Sequence, residues 1–87
     1  MRRRLVVTGR VQGVGFRHAV SVRARARGVR GWVRNLPTGQ VEAAFEGDAE
    51  PVAAMIEFCR RGPRGAHVAD VQVTDEPPAG EAGFSAG

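Results

Sequence analysis

An α+β sandwich in the order β-α-β-β-α-β is what this sequence predicts, and three observations carry it. Two segments with helical periodicity each follow a β-prone run. A Pro-Thr-Gly turn joins two further β-prone runs into a hairpin. The chain has 87 residues, enough for one domain with one modest core and too few for two.

The elements follow in order. Residues 4–8 (Arg-Leu-Val-Val-Thr) are rich in β-formers and stop at Gly9, which predicts the first strand. Residues 11–15 form a glycine-interrupted loop. Residues 16–27, with Phe16, Ala19, Val20 and Val22, read as a helix that Gly28 stops. Residues 31–36 and 40–46 alternate as strands. Between them, Pro37 presets φ and Gly39 permits a positive φ. Asp48 suits the N-cap of a second helix, and Glu50 lies near the positive end of its dipole. Val52, Met55, Ile56 and Cys59 recur at i, i+3, i+4 and i+7, one apolar stripe that ends at Gly62-Pro63. Residues 68–74 alternate again as a fourth strand. Residues 75–87 are a tail rich in Pro, Gly and Ala, predicting either a short edge strand around Phe84 or a loosely held end.

One sheet with both helices on one face buries both apolar stripes. With the hairpin strands in the middle of the chain, that is the split βαβ, or ferredoxin-like, sandwich with an antiparallel sheet. The expected organisation is a single domain over residues 1–87.

Composition narrows the function. No apolar run approaches the roughly 20 residues that span a bilayer. Only Leu5-Val6-Val7 follows the basic start, too short for a secretory leader, so a cytoplasmic protein is expected. Cys59 is the single cysteine, so neither an internal disulfide nor a cysteine metal site is expected. The formal charge is +4 and every basic side chain other than the histidines is arginine, a balance that attracts anions without naming one.

The loop between the first strand and the first helix carries the chemistry. It reads Gly9-Arg10-Val11-Gln12-Gly13-Val14-Gly15-Phe16-Arg17. Successive backbone N–H groups in such a loop can form an anion nest. The helix that follows adds unpaired N–H groups and the positive end of its dipole. Arg17, in the first helical turn, can make two parallel bonds to phosphate oxygens. The pattern is neither a Walker A loop nor a dinucleotide fingerprint. Taken alone it fits phosphate binding and a plain glycine turn about equally well.

The run from Gly9 to Arg17 resembles the signature loop of the acylphosphatase family. The stretch Gly31-Trp32-Val33-Arg34-Asn35-Leu36-Pro37-Thr38-Gly39-Gln40-Val41-Glu42 resembles that family's second signature, and Gly62-Pro63 is a weaker likeness. The resemblance implies hydrolysis of the carboxyl-phosphate bond of acyl phosphates, with inorganic phosphate as product and inhibitor. It implies Arg17 as the phosphate-binding arginine and Asn35 as the residue orienting the attacking water. It also implies a cradle of backbone amides from Gln12, Gly13, Val14, Gly15, Phe16 and Arg17. No cofactor, metal, nucleic acid or membrane is implied, and nothing demands more than a monomer. Thr38 stands where the family often has an acidic residue, and the tail lacks the aromatic ending of many members.

Other candidates read less well. His18 adjoins Arg17, but helical neighbours point about 100° apart, so the two are not expected to share a face. His67 has no recognisable partner. A cysteine-phosphatase loop would need arginine at position 65, which is Gly65. Glu42, Glu46, Asp70 and Asp75 are scattered and form no ligand cluster. Two further functions stay open: a carbamoyl-phosphate-handling or phosphate-binding accessory domain like that of hydrogenase maturation proteins, and an RNA-binding module of the same fold. The latter would have only Trp32 and Phe45 as strand aromatics for stacking.

Overall fold

The computed structural model describes residues 1–87. Its elements are β1 (Arg2–Arg10), α1 (Phe16–Ala26), β2 (Arg30–Asn35), β3 (Val41–Glu46), α2 (Ala49–Arg61), β4 (His67–Glu76) and β5 (Phe84–Ala86). The strands form one sheet in the order β4-β1-β3-β2-β5. β1 pairs antiparallel with β3 and β4, and β2 pairs antiparallel with β3. The expected ferredoxin-like core is therefore present. The tail adds one strand to it: β5 pairs with β2 in parallel, so the complete sheet is mixed.

Both helices pack on one face and share a single core with the sheet. In α1, Phe16, Val20 and Ala24 are buried one turn apart. Val22 faces away and is half exposed. In α2 the buried stripe is Val52, Met55, Phe58 and Cys59, so Phe58 joins it and Ile56 falls to its margin. Asp48 does hold the N-cap position, but its carboxylate makes no capping hydrogen bond. Gly62 caps the other end of α2.

The tail forms a strand because one aromatic anchors it. Phe84 stacks on Phe45 with ring centroids 6.0 Å apart, and offset aromatic pairs of this kind add stability beyond their buried area. The backbone then zips alongside β2: Gly31 donates to the Gly83 carbonyl at 2.9 Å, and Gly87 donates to that of Val33 at 2.8 Å.

The opposite face of the sheet has no helix over it and is sealed by ion pairs. Arg2 reaches Glu46, Glu76 and Glu81, each at 3.1 Å. Arg4 and Arg34 both hold Glu42, at 2.9 and 2.6 Å. This explains why all six residues of β3 are buried although the strand carries two glutamates. Val41, Ala43 and Phe45 face the helices, while Glu42, Ala44 and Glu46 share the other face, where the carboxylates lie beneath arginine stems. No helix is long and apolar enough to cross a membrane.

Candidate active site

The end of β1, the first turn of α1 and the end of β2 enclose a cavity of about 160 Å³. Its lining is Val11, Gly13, Gly15, Phe16, Arg17, His18 and Asn35. Backbone geometry makes the floor. Gly13 and Gly15 have φ of 75° and 76°, the left-handed region that side chains disfavour. Gly15 is also the N-cap of α1, so no side chain caps the helix. The first N–H groups of an α-helix have no intrahelical partner. No acidic residue stands in that first turn to offset the dipole. The helix therefore brings unpaired N–H groups and the positive end of its dipole to the cavity end of α1.

Arg17 rises from this turn, partly exposed. No side-chain carboxylate pairs with it. Its Nη1 donates to the main-chain oxygen of Gly87, just past β5, while Ser21 Oγ donates to the Arg17 carbonyl at 2.8 Å. A guanidinium has five N–H donors, so most remain for a ligand. Asn35 is the last residue of β2, exposed, with a carboxamide that can both donate and accept. The structure thus brings Arg17 and Asn35 to one cavity.

Two of the expected cradle residues do not line it. Gln12 turns its side chain away: Nε2 donates to the carbonyls of Leu36 and Gln40, at 2.8 and 2.9 Å. These carbonyls flank the β2–β3 turn, so Gln12 ties the loop to the segment that carries Asn35. Gln40 adds a second tie, donating to Thr8 Oγ1 at 3.0 Å. Val14 packs partly against the core.

His18 corrects the sequence expectation in the other direction. It shares the cavity lining with Arg17. The cavity sits at the helix end, not along one side, so neighbours 100° apart can both border it. The sequence signal was its place in the first turn after a glycine loop.

The remaining candidates lie elsewhere. Cys59 is fully buried, and burial pushes its thiol up to about 12, so no nucleophilic thiolate is available. No group of three or more His, Cys, Asp or Glu side chains is arranged to hold a metal ion. Phe45 is buried against Phe84, and the Arg34 guanidinium lies 4.8 Å from the Trp32 ring centroid, so neither aromatic offers a bare stacking surface.

The family model described as acylphosphatase matches residues 3–86. The chain belongs to the acylphosphatase family. An acylphosphatase of Thermococcus kodakarensis is 54% identical over 97% of this chain and 92% of its own length. The crystal structure of acylphosphatase from Bacillus subtilis matches with a TM-score of 0.93 at 37% identity, covering 98% of this chain and 96% of that one. The structure of T. kodakarensis HypF matches with a TM-score of 0.85 at 32% identity, over all of this chain and 12% of that protein. Membership in the acylphosphatase family places the chain among hydrolases.

Proposed function

We propose that this chain hydrolyses small acyl phosphates to a carboxylate and inorganic phosphate, with Arg17 and the loop amides binding the phosphoryl group and Asn35 holding the attacking water. The observation that carries this reading is the meeting of Arg17, Asn35 and an uncapped helix N-terminus at one cavity, in a chain of this family.

The chemistry asks little more of the protein. The leaving group is a carboxylate, whose conjugate acid has a pKa of about 4 to 5, so it needs no general acid. Phosphoryl transfer depends on positioning and on stabilising charge at the equatorial oxygens. Arg17 and the backbone N–H groups of residues 12–17 supply the charge. Asn35 accepts a hydrogen bond from the water through its amide oxygen and donates to the phosphoryl group through its NH₂. The water attacks phosphorus as the bond to the acyl oxygen breaks. Its proton passes to a phosphate oxygen of the substrate, because no carboxylate lines the cavity to take it.

The accessory-domain reading draws on the HypF likeness. The 54% identity to a T. kodakarensis acylphosphatase, against 32% to the HypF segment, favours the hydrolase. Hydrolysis of benzoyl phosphate by the purified chain, with EDTA present, tests the proposal. The expected outcome is turnover that survives chelation and falls at least ~10²-fold in Arg17→Ala, the scale for removing a donor to transition-state charge. Arg10→Ala is expected to change little. Equal losses at Arg10 and Arg17 would overturn the assignment.

A further inference from the structure

The three segments that meet at the cavity end of the molecule are residues 9–18, 34–41 and 61–69. Gln12 joins the first to the second, and the pairing of Gly9 with Val68 and Arg10 with His67 joins the first to the third. None of the three contains an aspartate or glutamate. Arg10, Arg17, His18, Arg64 and His67 stand there without a side-chain carboxylate partner. Most acidic residues gather elsewhere: Glu46, Glu76 and Glu81 surround Arg2, and Asp75 pairs with Arg3, while Glu42 at the edge of this region is taken by Arg4 and Arg34. Basic side chains therefore outnumber acidic ones around the cavity mouth.

Within the cavity, the lining divides by task. Val11 and Phe16 are buried and apolar, and Gly13 and Gly15 offer only backbone. Arg17 and Asn35 serve the phosphoryl group and the water. His18 remains, an exposed side chain with a ring N–H donor and no assigned work. The acyl group has to extend toward solvent, because the phosphoryl end is turned to the loop amides and the face opposite the leaving oxygen is taken by water.

Resting on the hydrolase reading above, we propose that His18 is a specificity residue that contacts the acyl part of the substrate and favours acyl groups bearing a second anionic group. A carboxylate or a second phosphate on the acyl chain would accept a hydrogen bond from the imidazole, and the surrounding acid-free surface would add longer-range attraction.

Benzoyl phosphate and 4-carboxybenzoyl phosphate test it, since they differ only in a remote charge. The wild type is expected to favour the carboxylated substrate by about fivefold in kcat/KM, the scale of one added hydrogen bond, and to do so through KM. His18→Gln removes most of that preference, His18→Arg keeps it and His18→Glu reverses it. Added salt weakens it. His18 is exposed, so His18→Gln and His18→Arg keep the wild-type melting temperature, and His18→Glu, favourable at the helix N-terminus, does not lower it. A substrate ratio that is the same in the wild type, His18→Gln and His18→Glu would overturn the proposal while leaving the hydrolase reading intact. Failure of the wild type to hydrolyse either compound would overturn both.

Discussion

Arg17 stands in the first turn of α1 with no side-chain carboxylate against its guanidinium and with one N–H anchored on the main-chain oxygen of Gly87. That combination leaves its charge free for a ligand while restricting where it can point. Asn35 has no such anchor of its own. Its place is fixed from behind by Gln12, which bridges the Leu36 and Gln40 carbonyls. Gln12→Ala is expected to lower stability by about 1–2 kcal/mol, the scale of two neutral hydrogen bonds. It should also reduce kcat more than it raises KM, because the water-holding residue loses its support. Thermal unfolding and steady-state kinetics on the same variant check both parts. At this scale the sequence was legible where chemistry is local. Glycines at positive φ, an arginine just after them and an asparagine at a strand end are all visible in short windows. The partners of the Gln12 side chain lie across the hairpin, beyond any local pattern, so only its backbone amide is legible as a cradle donor. The place of His18 at the cavity is illegible from helical spacing because the cavity lies at the end of the helix, not along its side.

Among the elements, β5 shows how a short, weakly patterned segment gains order from one side chain. Its residues are mostly small, and only Phe84 enters the core, against Phe45. Phe84→Ala is expected to cost about 3 kcal/mol, at the low end for truncating a buried phenylalanine because the site is at the sheet edge. The same change frees Gly87 from its register beside β2, so Arg17 loses its carbonyl partner and kcat/KM falls as well. A variant with lowered melting temperature and wild-type kcat/KM at low temperature would show that β5 is structural only. Strands with clear alternation and the apolar stripe of α2 were legible because period and burial coincide there. β4 runs past its expected end to Glu76 for a different reason. Asp75 and Glu76 are held by Arg3, Arg2 and Arg4 across the strand pair, a pairing that no hydrophobic pattern reveals.

For the whole molecule, the chain from β4 must pass the end of the sheet to reach β5 at the other edge. Glu46 secures that crossing. Its carboxylate accepts the N–H groups of Ala79 and Gly80 at 2.8 and 2.9 Å and pairs with Arg2, which also holds Glu81. The Ala79 N–H, followed by Arg2 and the Gly80 and Glu81 N–H groups, outweighs burial and lowers Glu46 to about 2. At Glu42 burial works upward, but the bonds from Arg34 and Arg4 prevail and the pKa is again lowered. A carboxylate held below its unfolded value stabilises the fold above that value and ceases to do so as it protonates. Stability is therefore expected to fall from about pH 4.3, the ordinary glutamate value, down through about pH 2, the folded value of Glu46. Glu46→Gln should lower the melting temperature at neutral pH and flatten its decline across that window, as measured by thermal unfolding at stepped pH. The position of this clamp was illegible in the sequence, since Glu46 looked like one more acidic residue at a strand end. The fold class was legible because element order and hairpin chemistry restrict the topologies available.

The central claim is that two side chains from separate elements divide the labour at one phosphoryl group, Arg17 binding it and Asn35 presenting water to it. The inhibition constant of inorganic phosphate, measured alongside kcat in the wild type, Arg17→Ala and Asn35→Ala, separates these roles. Arg17→Ala is expected to weaken phosphate inhibition sharply, whereas Asn35→Ala lowers kcat by ~10²-fold and weakens phosphate inhibition far less than Arg17→Ala does. Equal weakening of phosphate inhibition by the two substitutions, or wild-type kcat in Asn35→Ala, would contradict it.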